Sequence, residues 1–183
     1  QDRFDGMLSW FDGYKPRHRA TLASIYEFPF GRGRKWGSDW NSVTDAMLGG
    51  WSITALFTRR AGWLLRFGGT DLVTGDPRIK NPTRERMWDT SLFQLQPAYT
   101  RRANPHQWSG LTGPRYQNLD FTMQKLFKIT EKVSFEFRME AYNMTNSFMG
   151  ANPSTSRTSA TFGRVVDQFT THRGREFQYS GRF

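Results

Sequence analysis

The sequence predicts an all-β fold, an antiparallel up-and-down sheet of the kind that crosses a membrane as a β-barrel, and three observations predict it. Aromatic residues make up 16% of the 183 residues, with 16 Phe and 7 Trp, yet the mean hydropathy is negative. A chain that is aromatic and polar at once spaces its rings among polar residues, the signature of strands with one apolar and one polar face. Alternation with a period of two recurs in five segments. The connections between these segments are unequal, and a membrane barrel has short turns on one side and long loops on the other.

The first strand covers about 18–30, where Ala20, Leu22, Ser24, Tyr26, Phe28 and Phe30 oppose Arg19, Thr21, Ala23, Ile25 and Glu27. Pro29 marks its end, since proline cannot donate to a ladder. Residues 31–48 follow as a Gly/Arg-rich turn and a short helix over 39–47. The second strand, 49–66, sets Trp51, Ile53, Ala55 and Phe57 against Ser52, Thr54, Leu56 and Thr58. Residues 68–114 then read as a long loop containing Pro, Arg and Asn.

The third strand, 116–128, has Leu119, Phe121, Met123 and Phe127 on one face and Asp120, Thr122, Gln124 and Lys128 on the other. Lys125 and Leu126 break this pattern, and a lysine on the apolar face near a strand end can lift its ammonium to the membrane interface. Residues 129–132 make a tight hairpin into the fourth strand, 133–145. There Val133, Phe135, Phe137, Met139 and Ala141 oppose Ser134, Glu136, Arg138, Glu140 and Tyr142, an arrangement a helix would scatter around its circumference. A second long loop, 146–172, is rich in Ser, Thr and Asn. The fifth strand, 173–183, places Phe177, Tyr179, Gly181 and Phe183 opposite Glu176, Gln178, Ser180 and Arg182. Five strands and two such loops make a poor soluble sandwich, which needs turn signals at even spacing.

The net charge is +10, and it is dispersed: successive stretches ending at residues 50, 100, 150 and 183 carry 7, 7, 7 and 5 Lys or Arg. Dispersion of this kind suits loops and membrane rims better than a nucleic-acid stripe. There is no Cys, hence no disulfide framework, thiolate metal site or cysteine nucleophile. No apolar run approaches the ~18 residues of a membrane-spanning helix. The chain opens on Gln1-Asp2-Arg3 without a signal peptide or initiating Met, and reads as a fragment.

The segments Glu27-Phe28-Pro29-Phe30-Gly31, Leu48-Gly49-Gly50-Trp51-Ser52-Ile53, Trp88-Asp89-Thr90-Ser91-Leu92-Phe93 and Gly113-Pro114-Arg115-Tyr116-Gln117-Asn118-Leu119-Asp120 occur in that order. They are followed by Phe135-Glu136-Phe137-Arg138-Met139-Glu140-Ala141-Tyr142-Asn143-Met144-Thr145-Asn146, by Thr161-Phe162-Gly163-Arg164 and by the final Phe183. From about residue 15 onward this series resembles the C-terminal barrel of TonB-dependent outer-membrane receptors, in particular the Oar-like group that carries an N-terminal carboxypeptidase-regulatory-like domain. The resemblance implies a barrel of about 22 strands with a plugged lumen, of which residues 1–183 hold the last five. Plug, TonB-contacting segment and signal peptide then belong to an absent N-terminal part. The hairpin 129–132 and residues 31–48 would lie in the periplasm, with loops 68–114 and 146–172 outside. A piece with two open edges is not expected to fold alone.

Candidate residues follow from these readings. The terminal aromatics Phe183, Tyr179 and Phe177 resemble the signal by which the barrel-assembly machinery recognises its clients. Glu136, Arg138 and Glu140 share one polar face, joined by Asp120 of the neighbouring strand, and in a barrel would face the lumen and plug. Arg84, Arg86, Arg101, Arg102, Trp88 and Trp108 in the outer loop suit the phosphates of lipopolysaccharide or an anionic or aromatic ligand. His18, His106 and His172 stand apart from one another, so no metal site is expected. The segment 31–37 has Gly-x-Gly without a Gly-Lys-Ser/Thr ending and reads as a basic turn, with Trp36 and Trp40 suited to a membrane interface. No nucleophile elbow is present, and neither enzymatic activity nor a cofactor is expected.

The leading functional expectation is energy-coupled uptake of an organic ligand by a TonB-dependent receptor. Its expected partners are the TonB complex, the barrel-assembly machinery, outer-membrane lipid and lipopolysaccharide, and a ligand of unknown identity. The rival is a soluble, basic, β-rich nucleic-acid-binding protein, whose affinity would fall steeply with salt; nucleic acid is not the expected partner.

Overall fold

The computed structural model describes residues 16–68, 71–100, 104, 107–171 and 173–183. Its elements run β1 (Arg19–Glu27), α1 (Ser42–Leu48), β2 (Trp51–Arg60), β3 (Leu64–Arg66), β4 (Asp71–Val73), a 3-10 turn (Thr90–Leu92), β5 (Phe93–Leu95), β6 (Gln107–Thr112), β7 (Tyr116–Lys128), β8 (Ser134–Tyr142) and β9 (Glu176–Arg182). The chain divides into two compact units. One is a five-stranded sheet in the order β1-β2-β7-β8-β9. The other holds the described parts of 1–19, 60–116 and 149–172.

In the sheet, spatial order follows chain order, the up-and-down arrangement. β1 and β2 run antiparallel: the Phe28 N–H donates to the Trp51 carbonyl at 2.9 Å, and Ala61 N–H to the His18 carbonyl at 2.9 Å. β7 and β8 pair antiparallel from Phe121↔Ala141 to Lys128↔Ser134. The hairpin between them closes through Ile129 and Thr130 N–H groups on the Val133 carbonyl, both at 3.0 Å. β8 and β9 pair from Glu136↔Arg182 to Tyr142↔Glu176. This register puts Phe121, Met123, Phe127, Phe135, Phe137, Met139, Phe177 and Tyr179 on one face, together with Lys125, and the other charged residues of these strands on the opposite face.

The C-terminal residue is tied into that apolar face. The ring of Phe135 lies 6.0 Å from Phe127 and 4.8 Å from Phe183. Gly181 makes this possible, since a Cβ there would sit 2.9 Å from the Phe135 ring. Every residue of β1 and of β9 is exposed. Leu22, Ile25, Tyr26, Phe177 and Tyr179 thus show large apolar surfaces at both edges, unlike the edges of a finished soluble sheet.

The C-terminal end of β8 is fastened by Asn143, which is buried with φ +49°. Its side-chain amide donates to the carbonyls of Ser147 and Arg173, both at 3.1 Å, and accepts from Ser147 N–H at 2.9 Å. Asn is among the few residues that adopt this left-handed conformation readily. The Tyr142-to-Asn146 landmark is therefore a joint that stitches β8 to the start of β9.

The second expected strand, 49–66, is broken. β2 stops at Arg60 because Gly62 brings the chain so close to the Gly113 carbonyl that no side chain fits. β3 then leaves the sheet to pair with β6. What the sequence presented as loops is a packed body, with β4 paired to β5 as a second small ladder. Leu65, Phe67, Trp88, Phe93 and Leu111 form its buried core, with Val73, Met87, Trp108 and Phe162 against it. Phe67 and Trp88 rings meet edge-on at 5.2 Å, and Trp88 and Phe162 at 5.5 Å.

Candidate functional site

The loop unit carries a cleft of about 470 Å³. Its floor is apolar, with Leu111 and Val165 buried and Met87 half-buried, and Arg78, Arg84 and Arg115 line it as exposed side chains. Local hydrogen bonds hold this shape. The Val165 N–H donates to the Arg84 carbonyl at 2.7 Å, and Met87 N–H to the Gly163 carbonyl at 2.9 Å, so two distant segments close one wall. Thr83 and Arg86 exchange backbone bonds at 2.9 and 3.2 Å, forming the turn that presents Arg84.

Electrostatics fix the Arg78 side chain. Its guanidinium grips the Asp76 carboxylate with Nε at 2.9 Å and Nη2 at 2.6 Å. These bonds hold the Asp76 carboxyl below its usual range and raise the Arg78 guanidinium above its own. Asp89 is also lowered, chiefly by hydrogen bonds from the Ser91 hydroxyl and N–H, with Arg86 contributing from 3.1 Å. Among the described residues no acid lines the cleft itself, although Arg78 of its lining is paired with Asp76, which leaves Arg84 and Arg115 as the cations toward a ligand. An apolar floor under guanidinium groups fits an organic anion with a hydrophobic body.

The sequence candidates fall in several places. Arg84 lines the cleft; Arg86 is spent on Asp89. Trp88 is corrected: it is fully buried between Phe67 and Phe162 and offers no surface to a ligand. Trp108 packs half-buried against the same core. Arg101, Arg102, His106 and His172 lie outside the described residues. Arg78 and Arg115 belong to the same basic stretch, 78–116, that the sequence offers for an anionic ligand; that they line one cleft with Arg84 was not legible, because the residues between them form a fold of their own. The density of Trp63, Leu64, Leu65, Phe67, Trp88, Phe93, Trp108 and Leu111 was the available signal, since a solvated loop has no use for it.

On the sheet, Arg138 approaches Glu140 at 3.6 Å, and Glu136 stands across from Arg182 on β9. Tyr142 donates its hydroxyl proton to Glu140 at 3.3 Å. These side chains share the polar face, as the alternation requires. Asp120 lies near the same charges, acting on Tyr142 together with Glu140 and Arg138, and is also a structural acceptor, taking the Asn143 N–H at 3.0 Å and the Asn118 amide at 2.8 Å. Phe177, Tyr179 and Phe183 lie exposed along the apolar face. Lys125 is corrected too. It is 4% exposed, and its ammonium turns to the carbonyls of Asp45, at 3.0 Å, and Gly49 rather than to water.

Residues 11–178 match the family described as an outer membrane beta barrel domain, and the chain belongs to that family. No curated protein and no solved structure matches the chain. Family membership points to the outer membrane of bacteria and lends nothing to a nucleic-acid-binding reading of the charge.

Proposed function

We propose that the chain forms part of the wall and the outer ligand-binding cap of a TonB-dependent receptor that takes up an anionic organic ligand. The observation that carries this reading is the arginine-lined cleft, set on a loop unit with its own aromatic core. A receptor loop that must hold a scarce ligand benefits from such preorganisation, because less ordering entropy is lost on binding. The apolar edges of β1 and β9 support continuation of the sheet by further strands, as a closed barrel needs. The paired charges of Glu136, Arg138, Glu140 and Arg182 would face the lumen and meet a plug. Phe183 with Tyr179 and Phe177 would serve barrel assembly, and lipopolysaccharide would surround the outer rim. No catalytic step is assigned to the protein.

The test is uptake by cells carrying the full-length protein. Candidate anionic amphiphiles should bind purified receptor and accumulate in cells only when TonB is present. Arg84→Ala and Arg115→Ala should weaken binding while leaving the protein in the outer membrane. Uptake that persists without TonB would sink the transport reading.

A further inference from the structure

The connection between β1 and β2 contains a helix that is built inside out. In α1 the inward residues are Thr44 and Asp45, both polar and half-buried. Val43, Ala46 and Met47, spaced as one helical stripe, point away from the protein, with Val43 69% and Met47 66% exposed. Leu48 beside them is 57% exposed. A helix in water turns such a stripe to the core. One that turns it outward has an apolar solvent there.

The helix is nonetheless firmly seated. Asn41 caps its first turn, accepting the Thr44 N–H at 2.8 Å. The Asp45 carboxylate accepts the Arg32 N–H at 2.7 Å, and Arg32 reaches the Trp40 carbonyl at 2.9 Å. Beneath lies Lys125, on the apolar face of β7, with its ammonium on two carbonyls at the helix end. The rings of Trp51 and Phe127 flank that ammonium at 5.6 and 5.0 Å. Through Lys125 the helix thus sits against the apolar face of the sheet, the face that a membrane barrel turns to lipid.

Beside the helix runs a groove of about 510 Å³ lined by Arg32, Arg34, Lys125 and Lys128, with Asp45 its one acid among the described residues; Arg34 also pairs with Glu27 at 2.7 Å, an exposed bridge that a phosphate can exchange. Next to it Lys35 lies 4.9 Å over the ring of Trp36, an aromatic that is half exposed. Cations and a tryptophan around an apolar stripe are the composition of a helix lying at a lipid surface. This end of the sheet carries the short hairpin, whereas the long connections leave from the opposite strand ends; that places it on the periplasmic, phospholipid side.

We propose that α1 is an interfacial foot, with its Val43–Met47 stripe in the acyl boundary of the periplasmic leaflet and an anionic phospholipid phosphate in the groove of Arg32, Arg34 and Lys128. The inference rests on membership of the outer-membrane family and not on transport, so its failure would leave the proposed uptake standing.

Nitroxides at Val43→Cys, Met47→Cys and, as a water-exposed reference, Glu131→Cys in the full-length protein provide the test; this chain has no cysteine of its own. In vesicles of phosphatidylethanolamine with phosphatidylglycerol, positions 43 and 47 should be relaxed by oxygen and lose relaxation by a water-soluble nickel chelate, while position 131 keeps it. Omitting phosphatidylglycerol, or replacing Lys128 and Arg34 together by Gln, should shift both labels toward the chelate. Chelate access equal to that of position 131 would overturn the proposal. So would protection from both reagents, the mark of a protein partner, or protection that appears only with lipopolysaccharide.

Discussion

Replacing Trp88 by alanine separates a core role from a ligand-contact role, because the two make opposite predictions. Trp88 is fully buried, and its ring meets Phe67 at 5.2 Å, Phe162 at 5.5 Å and Phe93 at 6.5 Å. Truncating a buried Trp costs about 3–5 kcal/mol, from lost transfer energy and the cavity left behind. Three aromatic neighbours put this site in the upper part of that range. At 1.4 kcal/mol per factor of ten, the opened population of the loop unit rises by roughly two to three and a half orders of magnitude. Proteolysis of the full-length protein in its membrane reads this population directly when opening is fast relative to cleavage. Trp88→Ala should therefore be cut far faster than wild type within residues 62–95. Trp88→Phe should be cut little faster, since it keeps a ring and the indole N–H it loses has no hydrogen-bond partner among the described residues. Wild-type cleavage of Trp88→Ala, together with lost ligand binding, would refute the reasoning.

Acid should open the same unit. Asp76 and Asp89 have folded pKa values below their unfolded value near 3.8, so their contribution is complete above it and is lost as pH falls through the folded values. Protection against hydrogen exchange over residues 71–95, relative to the unfolded chain at the same pH, should stay constant down to about pH 4 and fall below it, with Asp76→Asn and Asp89→Asn flattening the profile. Lys125→Met keeps the stem between Trp51 and Phe127 but removes the charged donor, costing helix seating about 1.5–3 kcal/mol. A nitroxide at position 47 should then gain mobility; unchanged mobility would remove Lys125 as the seat. Asn143→Ala loses three side-chain hydrogen bonds and forces alanine to φ +49°. Together these cost about 3–6 kcal/mol in urea unfolding of the full-length protein, and Asn143→Gly should recover only the backbone share.

Much of the sheet was legible because period two is a local property. In β8 the register with β7 and β9 puts Phe135, Phe137 and Met139 on one face, as their alternation requires. The hairpin after β7 was equally local. The landmarks behind the family resemblance have a physical account as well. Trp88 and Phe93 build the loop core, Phe162 closes it, and Asn143 joins β8 to the start of β9. They are packing and turn residues, which is why they reveal the fold and are silent about the ligand.

The sequence alone determined the class of fold, the five strands and their two chemically distinct faces, since each depends only on neighbours along the chain. Tertiary structure decided everything that depends on residues far apart. The meeting of Gly62 with Gly113 ended β2 early, and the burial of Trp88 turned a supposed ligand contact into core. Lys125, which broke the alternation, found its partners 76 and 80 residues away, at the end of a helix whose own apolar side faces outward. No local pattern encodes such a contact, because its free energy arises only when both segments are folded and the water between them has gone.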